Sequence, residues 1–520
     1  MKRFFMLFLT VLLCLSFIGC RGNNRGASTS ARSDFRSSDP DYANMDLSEF
    51  KSISVTYFLN NVPEDYKEVI SIVNDRYYKP ILNTEIWHNF VPSVNWQTTQ
   101  ALMLAGGEDI DVIMSATWRL YNEEALKGSY IEISQDYINK WLPKSKRTNS
   151  PISWEQAKVN GVVYGVPTTE TPWEHKFTVI REDLRVKYNL PPITSWDNLE
   201  NYIFTVSRNE PGVIGYDTAA TTWELMNVYM QDRDILLSAQ PVYFGFRYQG
   251  REPRPEELEF LYTSSWYKDY ARAMARWYAN GAFSRNVMNQ TVTYLDNFLQ
   301  GRSAAGFWHD FLYTRVGKPM EDNGHGKASY WDIAPTAPAR RRAFDSNLWS
   351  VASVSSNHER SGLVIDLMKN NADIHRLLKF GIQGRHYVLQ ADGSWLPGPD
   401  ATKYPYDQFT GPLGSTFDFP RGFEAGTPQD FIDIVRNLDT RILDMEFDGF
   451  RVDITPMAAE WMVMSALIAE YRQSFECGIF GNDTEAKLAE FDQKMRAAGV
   501  DRLITMVRGQ YTAYLRSIGR

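Results

Sequence analysis

The sequence predicts an α/β fold built on a parallel sheet and extended by a helical C-terminal region. Three observations predict it. Residues 52–114 alternate strand-like and helix-like segments in a β-α-β-α-β order, which argues for a parallel sheet with helices on its faces. The last seventy or so residues carry helical periodicity only. The chain is 520 residues long with 43% hydrophobic composition, too long for one ordinary domain, so two or more are expected.

The first strand is Ile53-Ser54-Val55-Thr56-Tyr57-Phe58, rich in β-branched and aromatic residues. Pro63 opens a helix with Tyr66, Val69, Ile70, Val73 and Tyr77 at three- and four-residue spacing, and Pro80 is expected to close it. Residues 84–90 read as the second strand. A helix through Ala101-Leu102-Met103-Leu104 stops at Gly106-Gly107, and Ile110-Asp111-Val112-Ile113-Met114 is the third strand. Ligands of such sheets sit beyond the carboxyl ends of the strands. The loops after Phe58, Phe90 and Met114 are therefore a candidate site, with Asp109 and Asp111 read as loop caps. Near the C-terminus, Asn482 or Asp483 can cap a helix whose Leu488, Phe491, Met495 and Ala498 share a face, and Gly499 ends it. Leu503, Val507, Tyr511, Tyr514 and Ile518 mark the next amphipathic helix.

The N-terminus reads as an address. Met1-Lys2-Arg3 is a basic start, and Phe4 to Ile18 is an unbroken stretch of apolar and small residues, short for a membrane span and flanked like a signal peptide. It ends in Leu15-Ser16-Phe17-Ile18-Gly19-Cys20, which resembles a bacterial lipobox. The resemblance implies removal of residues 1–19 and acylation of Cys20, which would hold the protein on the outer face of a membrane; more than one acyl chain makes such anchoring stable. Residues 20–50 are expected to form a flexible tether, being polar and without apolar periodicity. No later segment reaches eighteen uninterrupted apolar residues, so the body is expected to lie outside the cytoplasm.

The formal net charge is −8, which argues against a nucleic-acid partner, whose phosphates demand clustered Lys and Arg. The cysteines are Cys14, Cys20 and Cys477. With the first two in the leader and its cleavage site, Cys477 is alone, so neither a disulfide framework nor a cysteine zinc site is expected. The seven histidines are scattered from His88 to His386 without ligand spacing. Neither a metal nor a cofactor is expected.

Further along, the chain resembles the family 1 extracellular solute-binding proteins, a long lipoprotein subgroup with a distinctive C-terminal region. The resemblance spans residues 51–516 in consistent order. It rests on the passage 101–113 followed by Thr117-Trp118, on Ala157-Lys158-Val159-Asn160-Gly161-Val162-Val163-Tyr164-Gly165-Val166-Pro167, and on Val179-Ile180-Arg181-Glu182-Asp183-Leu184. It continues through Phe298–Trp308, Trp349-Ser350-Val351-Ala352-Ser353, and Gly381-Ile382-Gln383-Gly384-Arg385-His386-Tyr387. The resemblance implies a two-lobed, periplasmic-binding-protein-like fold with hinge crossings near residues 167, 303 and 351. Lobe one would comprise 51–167 plus 304–350. Lobe two would comprise 168–303 plus 351–520, including the helical end. It also implies capture of a small molecule for an ABC importer, with permease subunits as partners.

Aromatic residues make up 14% of the chain, with 15 Trp, which favours a carbohydrate: sugars offer hydroxyls for hydrogen bonds and C–H patches suited to aromatic faces. Trp118 follows the third strand and should overhang the strand ends. Trp308 stands where the family places a cleft tryptophan, with His309 and Asp310 following it. Glu170 and Trp173 either face the groove or shape the hinge, Trp223 belongs to cleft or core, and Arg385 and His386 either contact ligand or form a buried ion pair. The rival reading is a surface-anchored glycoside hydrolase or lyase with two carboxylates placed a few ångströms apart. Against it, the chain holds no Gly-x-Ser-x-Gly, P-loop or His-Glu-x-x-His motif. A non-transport surface adhesin would suit the same N-terminus but predicts no cleft.

Overall fold

A computed structural model of the chain describes residues 35–59, 61–92, 96–106, 110–169, 174–219, 222–238, 242–309, 312–405, 423–443 and 445–520. The proposed leader and Cys20 lie outside the described residues.

The first lobe is centred on a five-stranded sheet. Its order is Thr84–Val91, Lys51–Phe58, Val112–Ser115, Leu348–Val351 and Val166–Pro167. The three leading strands pair in parallel, as the alternation of elements predicts. Leu348–Val351 joins them antiparallel. Six consecutive residues of the first strand, Ile53 to Phe58, are buried, as both faces of a covered sheet require. The helix after it begins at Tyr66 but does not stop at Pro80: it runs through a wide π turn, Asn74–Tyr78, into Lys79–Leu82 and ends at Asn83 in the left-handed region. The wider turn gives the proline ring room at the start of the last turn, where its missing N–H is tolerated. A two-strand hairpin follows at Lys158–Val159 and Val162–Val163, turned by Asn160 and Gly161 at φ 49° and 83°, the geometry that Asn-Gly supplies most cheaply.

The second lobe is built around Phe177–Arg181, flanked antiparallel by Ala305–Trp308 and Ala328–Trp331. This corrects the expected lobe boundaries. All four residues of Ala305–Trp308 pair with Phe177–Ile180, so the chain does not cross at 303 and the stretch up to about 340 belongs to lobe two. Conversely, Leu348–Val351 returns the chain to lobe one. The helices His358–Asn370 and Ala372–Phe380 bury Leu363, Val364, Leu367, Ile374 and Leu378 in the first core. Tyr404 still belongs to that core, whereas Phe423, Phe431 and Val435 pack in a lobe-two core, so the chain is back in lobe two by residue 423. A strand ending in a tryptophan reads the same whichever sheet accepts it, because pairing partners are non-local.

The expected tether is also shorter than 20–50. Tyr42 and Leu47 are fully buried in the first core. The Tyr42 hydroxyl donates to Asp366 (3.0 Å), and Lys144 and Arg147 each reach Asp41 at 2.8 Å. Apolar residues scattered through a polar stretch, Phe35, Tyr42, Met45 and Leu47, give no periodicity to detect. Tyr42→Phe should cost about 1–2 kcal/mol in urea unfolding; an unchanged midpoint would mean that this segment is not held by that bond.

The C-terminal region is helical as expected: Ala458–Glu476, Thr484–Ala497 and Val500–Ser517. Leu488, Phe491, Met495, Leu503, Val507 and Tyr511 are buried in the second core, and Gly499 separates the last two helices at φ 98°. The first two of these helices lie against Ser265–Ala279, with ion pairs Lys268–Asp492 and Arg272–Glu485 at the contact. Cys477 is fully buried, and burial pushes its thiol up to about 12, consistent with a small inert core residue. No helix among the described residues is long and apolar enough to cross a membrane.

Candidate functional site

The lobes enclose a cleft of about 640 Å³, within the size range of small-molecule sites. Lobe one contributes the carboxyl ends of its strands, Tyr57, Phe58 and Met114, and the turn Thr117–Arg119 that follows. Two of the three strand ends singled out by sequence are thus on the wall. Phe90 is not: it packs edge-on against Tyr66 at 4.9 Å. Lobe two contributes Trp308 at the end of its strand and Trp223 at the start of the helix Trp223–Gln231. The C-terminal region reaches the cleft through Phe447, Asp448 and Arg451.

Trp118 is 45% exposed, and its indole Nε1 donates to the Ser346 carbonyl at 2.7 Å, which fixes the ring. Trp223 lies against Tyr243, ring centres 4.7 Å apart. Arg315 stands 5.7 Å from the Trp308 ring centre. Aromatic surfaces therefore face the cleft from both lobes.

A charged network lies beside them. Lys176, almost wholly buried, meets Glu174 at 3.1 Å and Glu224 at 3.0 Å. Arg342 donates to Glu174 at 3.0 Å and to His309 Nε2 at 2.6 Å, and Lys176 Nζ reaches the same nitrogen at 3.0 Å. Burial together with these two cations pushes His309 well below the ordinary histidine range, so it stays neutral and accepts. Burial opposes ionisation of Glu174, but Lys176 and Arg342 outweigh it and hold the carboxyl well below its usual value. Asp345 pairs with Arg451 at 3.2 Å, and Asp448 pairs with Arg340. Gln156 ties the lobes beneath this network, accepting from Phe344 N–H (2.7 Å) and donating to the Asp448 carbonyl (2.8 Å).

Three of the sequence-derived residues, Trp118, Trp223 and Trp308, therefore meet in one cleft. Glu170, Trp173 and Asp310 lie outside the described residues. Arg385 and His386 are not on the cleft wall. Arg385 reaches Glu68 at 2.6 Å and also Asp65 and Asp400, and His386 stacks on Tyr404 and bonds Asp65 at 3.0 Å. The ligand reading of these two is corrected in favour of an ion cluster that ties the 381–404 segment to the first helix of lobe one. Asp111 is likewise a cap, accepting from Ser54 N–H at 2.9 Å and Asn357 Nδ2 at 3.1 Å. Sequence reasoning missed Arg119 and the Glu174, Lys176, Glu224, Arg340, Arg342 network. One signal was available: Arg340-Arg341-Arg342 is a cationic run in an acidic chain. Among the described residues, no cluster of three or more His, Cys, Asp or Glu is placed to hold a metal ion.

Two α/β lobes joined by three crossings, with an aromatic-walled cleft between them, define the two-lobed solute-binding-protein fold. Among solved structures, the chain is similar to the N-glycan transport solute binding protein NgtS from Streptococcus pneumoniae. The TM-score is 0.68 at 14% identity, covering 90% of this chain and 99% of that one. The same protein in complex with Man1GlcNAc gives 0.68 at 13% identity, with 90% and 100% covered. An HMO-binding, ABC-transporter-associated solute binding protein from Bifidobacterium longum infantis gives 0.58 at 15% identity, with 89% and 99% covered. The likeness establishes the fold. Residues 446–516, within the helical end, match a family described as a domain of unknown function, DUF3502. No curated protein matches the sequence.

Proposed function

We propose that this chain is an extracytoplasmic solute-binding lipoprotein that captures a sugar or oligosaccharide and delivers it to an ABC importer. The observation that carries this reading is the cleft of about 640 Å³ with tryptophans from both lobes on its wall. Aromatic faces suit the C–H patches of sugar rings, and the surrounding amide and charged groups suit their hydroxyls. The solved proteins of the same fold support it, being named for N-glycan transport and HMO binding. Permease subunits are the partners that this role requires. Catalysis is not part of the reading. A glycosidase directs two carboxyl groups at one reacting bond, whereas the carboxylates on this wall are engaged by cations: Glu174 and Glu224 by Lys176, Asp345 by Arg451 and Asp448 by Arg340.

Calorimetry with a panel of defined oligosaccharides tests the proposal. The expected result is stoichiometric binding with the sugar recovered intact. Steady release of shorter products would replace it with the enzyme reading.

The membrane attachment rests on the basic, apolar, Cys order of residues 1–20. Cys20→Ala should abolish acylation and leave the protein unprocessed or released from the membrane fraction. Unchanged membrane retention, with no acyl chain on the wild type by mass spectrometry, would contradict the anchor.

A further inference from the structure

The cleft has more cationic groups than its own carboxylates engage. Its wall carries seven Lys or Arg side chains against four Asp or Glu, and each of the four carboxylates is already paired within the network described above. Apart from Arg315, which stands beside Trp308, two arginines are left over. Arg119 is only 6% exposed. Its guanidinium lies between Phe58 (4.1 Å), Trp118 (4.4 Å) and Trp96 (4.9 Å), with Nε and Nη1 buried and without a hydrogen-bond partner. No acidic side chain among the described residues forms an ion pair with it. Arg341, exposed on the cleft wall, has neither a hydrogen bond nor an ion pair among the described residues.

A buried guanidinium without an acceptor costs free energy that the free protein does not recover. Stacking on aromatic rings offsets part of that cost, but rings accept none of the in-plane N–H donors. Nη2 shares one edge of the guanidinium with Nε and the other with Nη1, and either edge is a fork that matches a carboxylate or a sulfate oxygen pair. Burial has pushed Arg119 down to about 10, which still leaves it protonated near neutral pH.

We infer that the carbohydrate held in this cleft is acidic, carrying a carboxylate or sulfate group that Arg119 receives beside the Trp118 ring and that Arg341 supports from the segment leading out of lobe two. The inference rests on the carbohydrate-binding reading and narrows it to a substrate class. It also gives the two lobes a shared ligand group, since Arg119 follows a lobe-one strand and Arg341 lies on the segment leading out of lobe two. A ligand that engages both favours the arrangement that brings both to it.

The test is calorimetry on the full mature protein with three size-matched tetrasaccharide sets: neutral, uronate-containing and sulfated. At least one acidic set should bind about tenfold or more tighter than the neutral set, and whichever of the two it is identifies the acidic group. That preference should shrink as NaCl is raised from roughly 0.05 to 0.5 M, because the charges are screened. Arg119→Gln should erase most of the preference, with Arg119→Lys restoring part of it. Arg341→Gln, at an exposed position, should reduce it several-fold without affecting folding. A purely packing role for Arg119 would lower affinity for every sugar alike and leave both the preference and its salt dependence in place. Equal binding of neutral and acidic sets, or a preference untouched by Arg341→Gln and by salt, overturns the inference while leaving carbohydrate binding intact. If no set binds, the carbohydrate reading itself falls.

Discussion

Trp308→Ala and Trp118→Ala should each weaken carbohydrate binding about tenfold or more, and the double variant should approach the product of the two effects. Each ring stands at the end of a strand, one per lobe, so neither can be replaced by its neighbour. An aromatic contact contributes on the order of 0.5–1.5 kcal/mol beyond the area it buries. The sugar surface covered by an indole adds to that at roughly 25 cal/mol per Å². About 1.4 kcal/mol is one decade in affinity, so the sum exceeds tenfold. The single effects should add where the two rings touch different parts of the ligand. Folding should survive both changes, since Trp118 is 45% exposed and Trp308 is only partly buried. Calorimetry measures the affinities and circular dichroism checks the fold. Wild-type affinity in both variants would remove these rings from the site.

The second large effect concerns stability. Lys369 is buried, and its ammonium donates to Asn149 Oδ1 (3.1 Å) and to the Pro167 carbonyl, at the point where the chain leaves lobe one. Burial drives its pKa down from 10.5 to about 7, against the pull of Asp366. The unfolded chain holds this proton up to about pH 10, whereas the folded chain releases it near 7. Between those values the unfolded state binds more protons, so the contribution of Lys369 to stability rises with pH. At about 1.4 kcal/mol per pKa unit, the rise from pH 7 to 9.5 is on the order of 3 kcal/mol. Lys369→Met should remove it. Urea unfolding of both proteins across this range gives the difference directly. Parallel pH profiles would show that Lys369 keeps its proton in the folded state.

What was legible in the sequence was what local patterns encode. Ile53–Phe58 and the strand through Val112 announce themselves by β-branched and aromatic content, as strands buried on both faces do, and the helix from Tyr66 by its 3.6-residue period. The terminal helices were readable for the same reason, from Leu488, Phe491 and Met495 through Tyr511. The lobe to which Ala305–Trp308 belongs was not readable. Its partner is Phe177–Ile180, more than a hundred residues away, and an apolar strand does not name its partner.

The site divides in the same way. Tryptophans directly after predicted strands could be placed at a cleft, because strand ends lead there. The network of Glu174, Lys176, Glu224, His309 and Arg342 comes together from four separate segments, each of which alone looks like ordinary solvated charge. Arg119 gave no local signal either. Beside Trp118 it reads as a surface residue, and only the fold shows that Phe58 and Trp96 close over it. For Arg385 and His386 the sequence left ligand contact and an ion pair both open, because their acidic partners Asp65 and Glu68 lie more than three hundred residues away and only the fold brings them together.

The central claim is that a carbohydrate is held between the two lobes. Small-angle X-ray scattering of the mature protein, titrated with a sugar that calorimetry shows to bind, tests it most directly. The radius of gyration should fall as the site fills and level off at one equivalent, because a ligand touching both lobes favours the closed arrangement. In Trp308→Ala the same compaction should require about tenfold or more higher sugar concentration. A sugar that binds with no compaction, and as tightly in Trp308→Ala and Trp118→Ala as in the wild type, would mean that it sits elsewhere on the molecule.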